Sequence, residues 1–115
     1  MAVNIFAITS YAYQVGYRNT ATYAGITIQY QGRLSARGAN GEQLTIYGLR
    51  PDSPVPADPY CNDTRTQGAI FVPFADLHNY WNIVRSEEPV YARLDLALGM
   101  FLFTGPEPAG EDEGS

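Results

Sequence analysis

Lysine does not occur in this chain, and histidine and cysteine occur once each, as His78 and Cys61. These gaps exclude much ordinary site chemistry. A Ser-His or Cys-His nucleophile needs both groups within hydrogen-bond reach. A phosphate-cradling loop usually ends in lysine, and zinc sites gather several cysteines and histidines. One cysteine cannot close an internal disulfide, which fits a reducing cytoplasm. The longest apolar run, Leu98 to Phe103, is far short of the roughly 20 residues of a spanning helix, so no membrane segment is expected. Met1 to Phe6 shows neither a basic region nor a cleavage pattern, and no signal peptide is read there. Asn62-Asp63-Thr64 fits the glycosylation triplet, which carries no weight without secretion.

What remains describes a folded object. The 115 residues, 45% of them hydrophobic, suit one globular domain. A chain of this size buries about two-thirds of its unfolded surface. Charge is split along it. Through Arg50, four arginines against Glu42 give +3; beyond it, three arginines against eleven acids give −8. Such asymmetry points to a basic surface and an acidic tail. Residues 1–104 read as the domain. Residues 105–115, rich in Gly, Pro, Glu and Asp, read as a disordered, solubilising acidic tail.

Apolar periodicity predicts the elements. Alternation over 3–15 predicts a first strand, with a turn at Gly16 to Thr20. Ile26, Ile28, Tyr30 and Leu34 alternate with polar residues, predicting a half-buried antiparallel strand over 22–35. Asn40-Gly41 predicts a hairpin turn into a strand over 43–49, with Leu44 and Ile46 inward and Thr45 and Tyr47 outward. Pro51, Pro54, Pro56 and Pro59 deny residues 50–67 a helix or an inner strand. A short strand follows over 68–73. Phe74, Leu77, Trp81 and Val84 form a helical stripe, predicting a helix over about 75–87 that stops before Pro89. Val90, Ala92, Leu94, Leu96, Leu98, Met100 and Leu102 alternate without a polar break, predicting one long last strand over 90–103. Its far end is apolar on both faces, which calls for a central place in the sheet or a covering partner.

Candidate sites are few. Tyr23, Arg33 and Tyr47 fall on the polar faces of their strands, near Gln29 and Gln31. With Arg37 and Arg50 they could stack bases and hold phosphates. Tyrosine is also simply a good strand former. Asp52, Asp58, Asp63 and Asn62 are oxygen donors, but at no calcium-loop spacing. Cys61 lies among acids that disfavour a thiolate. His78 lies at the edge of the aromatic helix stripe, and Asp76, two residues away, does not face it. Glu87 and Glu88 read as a solvated helix end.

The resulting expectation is an α+β fold: a small antiparallel sheet of about five strands with one helix packed on one face. No catalytic residue, cofactor or metal is expected. The leading functional reading is a non-enzymatic, cytoplasmic binding or assembly module, homo-oligomeric through the last strand at Met100, Phe101 and Phe103. The alternative is a single-stranded nucleic-acid-binding protein that uses Tyr23, Arg33, Arg37, Tyr47 and Arg50, with the acidic tail occupying that face when it is empty. Its compact β-rich body, Tyr/Arg sheet face and acidic tail are similar to features of small single-strand-binding proteins.

Overall fold

A computed structural model describes residues 4–95 and 99–104. The fold is α+β, with one helix packed on sheet. Instead of one antiparallel sheet of about five strands, there are two sheets among the described residues, and the larger is mixed.

The expected first strand is two. β1 (Asn4–Ala7) and β2 (Ser10–Tyr23) belong to different sheets. The crossing is made by neighbouring amides. Ile8 N–H donates to Val90 O and Thr9 N–H to Arg37 O, each at 2.8 Å. The buried side changes across the crossing, from Phe6 and Ile8 to Tyr13, so the odd-position alternation read over 3–15 does not hold for β1, where Ile5 faces outward.

β2 and β3 (Ile26–Arg37) form a long antiparallel hairpin. The turn expected at 16–20 is a bulge within β2. Register slips between Val15 and Asn19, with Arg18 at φ 64°, while pairing continues beyond it. A bulge absorbs extra residues and bends the strand without ending it. The real turn is Ala24-Gly25, with φ of 52° and 80°, as a two-residue hairpin turn requires. Asn40-Gly41 does lie in the next connection, which leads to β4 (Gln43–Leu49).

β4 is central. It pairs with β3 antiparallel and with β6 (Gln67–Pro73) parallel, giving the order β2-β3-β4-β6-β5, where β5 is Tyr60–Cys61. Parallel pairing needs a connection of about a dozen residues or more to return the chain to the same end. The proline-rich segment after β4 supplies that length. Lying between two strands with cover on both faces, β4 is buried from Leu44 to Leu49, so Thr45 and Tyr47 do not reach solvent as expected.

α1 (Phe74–Ser86) starts directly after β6 and carries the expected stripe. Phe74, Leu77, Trp81 and Val84 all join the main core. The helix sits close to the sheet because Gly32 and Gly48 pair across β3 and β4. A Cβ on either would lie 2.9–3.1 Å from Leu77 and 3.0 Å from Phe74.

The single last strand is also two. β7 (Val90–Leu94) and β8 (Phe101–Thr104) pair antiparallel, and β1 completes a small sheet in the order β1-β7-β8. Between them Gly99 adopts φ 122°, and its N–H closes on Asp95 O at 2.9 Å. A glycine in that region reverses the chain where strict alternation suggests continuation. The inner face of this sheet (Phe6, Val90, Ala92, Leu94, Leu102) packs with Leu34, Ala36, Leu44 and Ile46 of the large sheet. Leu96, Leu98 and the acidic tail lie outside the described residues. No described helix is long and apolar enough to cross a membrane.

Candidate functional site

Parity along β3 and β4 places Arg33, Arg37 and Tyr47 on one face of the large sheet, opposite α1, and the register slips bring Tyr23 against Tyr47 on the same side. This face is not open at its centre. The bulge in β2, and a second slip between Tyr30 and Gly32 against β4, carry the outer part of the hairpin over the sheet. Ile28, fully buried, packs there with Tyr47, Leu49 and Ala69, flanked by Tyr23, Tyr30 and Phe71. Tyr47 is only 4% exposed. Its ring meets Tyr30 and Tyr23 edge-on at 4.9 and 5.6 Å and stacks on Phe71 at 5.9 Å. Its hydroxyl is 2.8 Å from that of Tyr23. Burial, reinforced by this hydrogen bond, pushes the Tyr23 phenol well above the usual tyrosine range. The tyrosines thus form a second small core.

The arginines lie around it. Arg33 Nε donates to Gln14 Oε1 at 2.6 Å, with the guanidinium 5.9 Å from the Tyr30 ring centre. Arg37 Nε donates to Gln43 Oε1 at 3.2 Å at the exposed end of β3. Arg50 stands apart, beyond the end of β4, 3.3 Å from Asp52. The five candidate residues therefore do not share one surface.

A different surface stands out on the small sheet. Its outer face aligns Ile5, Arg93 and Phe101 across three strands, and Ala7, Tyr91 and Phe103 beside them. Ile5 is 52% exposed and Phe101 38%. Phe103 lies 5.4 Å from Tyr91 and 5.7 Å from Phe101. The one cation, Arg93, lies 5.4 Å from the Phe101 ring centre and 3.2 Å from Asp95, a buried carboxylate of its own chain. Of the three residues expected at an oligomer interface, Phe101 and Phe103 belong to this face. Met100, 7% exposed, has the parity of Leu102 and lies in the core. Tyr91 and Arg93 were legible as the alternate face of the last strand. Ile5 was not, because nothing local shows that β1 pairs with β7.

The remaining chemical candidates have structural settings. The Cys61 thiol is pushed up, first by burial, with Arg65 opposing and Asp95 adding to the rise. The one acid that adds to the rise, Asp95, follows β7 and is not among the neighbouring loop acids. Asn62 Oδ1 accepts from Thr66 and Gln67 N–H and shapes the turn into β6. His78 is exposed on α1, its ring 5.3 Å from that of Trp81. Among the described residues, no three His, Cys, Asp or Glu side chains are grouped to hold a metal ion.

No protein-family model, curated protein or solved structure matches the chain.

Proposed function

We propose that this protein is a non-enzymatic binding or assembly module of the cytoplasm that self-associates through the outer face of the small sheet. The supporting observation is that face itself: aromatic, partly exposed, and interrupted only by an arginine whose charge Asp95 offsets from behind. Contiguous apolar patches on small proteins mark interaction sites. A second copy suits this one, because a nearly neutral apolar face needs no complementary charge and can meet itself across a two-fold axis. The reading is preferred to single-strand binding because Tyr47, at the middle of that platform, has no free ring face for a base to stack on.

Sedimentation velocity at micromolar concentration tests it. The unaltered chain is expected at twice its 12.7 kDa, and Phe101→Glu at 12.7 kDa with an unchanged circular dichroism spectrum. A single-chain mass for the unaltered protein would sink the reading.

A further inference from the structure

A cleft of about 480 Å³ opens between the end of β4, the proline-rich segment and the start of α1. It shares no residue with the outer face of the small sheet. Leu49, Val55, Phe71 and Phe74 supply apolar walls, and Gln31 and Arg50 supply polar groups. Small-molecule sites typically measure about 300–1,000 Å³ and combine such walls with a few fixed polar groups.

One side of the cleft is held in place by hydrogen bonds. Arg50 N–H donates to Gln29 O, and Ser53 N–H to Arg50 O, both at 3.0 Å. Ser53 Oγ accepts from Gln29 N–H and donates to Pro54 O, both at 2.8 Å. These bonds tie the first turn of the proline-rich segment to β3. A wall fixed before binding avoids the entropy loss of ordering it afterwards.

Arg50 indicates the chemistry. Its guanidinium already holds a carboxylate, that of Asp52, at 3.3 Å. The Asp52 side chain is 66% exposed, so the pair is a surface ion pair of small net strength. A ligand carboxylate whose body fills the apolar walls can displace it, because burying that body adds a driving force that Asp52 lacks. We infer that this cleft binds a compact aromatic or branched-alkyl monocarboxylate, with its apolar body against Phe71 and Phe74 and its carboxylate on Arg50 in place of Asp52.

The test titrates isotopically labelled protein with 4-phenylbutyrate and, separately, with 4-phenylbutyramide, following backbone amide shifts. 4-Phenylbutyrate is expected to shift the amides of Leu49, Val55, Phe71 and Phe74, and the amide to bind about fivefold more weakly. Arg50→Gln should abolish that preference, and Asp52→Asn should strengthen binding of the acid. Phe101→Glu should leave the shifts in place, so this inference and self-association fail separately. Equal binding of acid and amide would overturn the carboxylate assignment. Shifts elsewhere, or none up to the solubility limit, would overturn the site.

Discussion

At the scale of the residue, the tyrosines show how little a good parity reading says about burial. Alternation put Tyr23, Arg33 and Tyr47 on the polar faces of their strands, and the pairing does set Arg33 directly beside Tyr47, whereas Tyr23 pairs with Ile26 and reaches Tyr47 only beyond the register slips. It could not show that the same hairpin folds back over that face, since the bend depends on two register slips with no clear local signature. The consequence is measurable. In the unfolded chain Tyr23 ionises near pH 10, while in the folded protein burial and the Tyr47 hydroxyl hold its proton to higher pH. Its contribution to stability is therefore present in full below about pH 10 and is lost as pH rises through the folded value. Urea unfolding is expected to show stability falling more steeply above about pH 10 for the unaltered protein than for Tyr23→Phe. At neutral pH, Tyr23→Phe should cost about 1 kcal/mol, because it removes the partner of the Tyr47 hydroxyl. Parallel alkaline profiles for the two proteins would contradict this account of Tyr23.

At the scale of the element, the helix and three strands of the large sheet were legible. Their periodicity is local, and their ends are marked by Asn40-Gly41, the prolines after Leu49, and Pro89. Three features were not. β1 and β2 are divided by hydrogen bonds that Ile8 and Thr9 make to distant strands. β7 and β8 are divided by a glycine inside an otherwise regular pattern. The parallel β4–β6 pairing depends on the path of the proline-rich segment, which composition does not specify. The seat of α1 belongs to this scale too. A Cβ on Gly32 would lie 3.0 Å from Gln14 O, a backbone atom that cannot rotate away, as well as 2.9 Å from Leu77 Cδ2. Gly32→Ala should therefore lift α1 or shift β2, costing about 1–3 kcal/mol. Chemical denaturation measures it, and an unchanged midpoint would show that helix and sheet do not meet as closely as described.

At the scale of the whole molecule, the charge split reads differently once folded. Arg33 and Arg37 lie on the face opposite α1, Arg50 in the cleft and Arg85 over Trp81, while Arg93 is held by Asp95. The arginines are thus dispersed, and the basic first half does not amount to one basic platform. The exposed aromatic surface lies instead where the two ends of the described chain meet, β1 against β7 and β7 against β8. The pairing of β1 with β7 is a long-range event, which is why the β7 and β8 parts of the surface could be anticipated and Ile5 could not. The most direct test of self-association through this face is an isotope-filtered nuclear Overhauser experiment on a mixture of labelled and unlabelled chains. Cross-peaks between copies are expected among Ile5, Tyr91, Phe101 and Phe103. Cross-peaks confined to other surfaces, or none between copies, would contradict it.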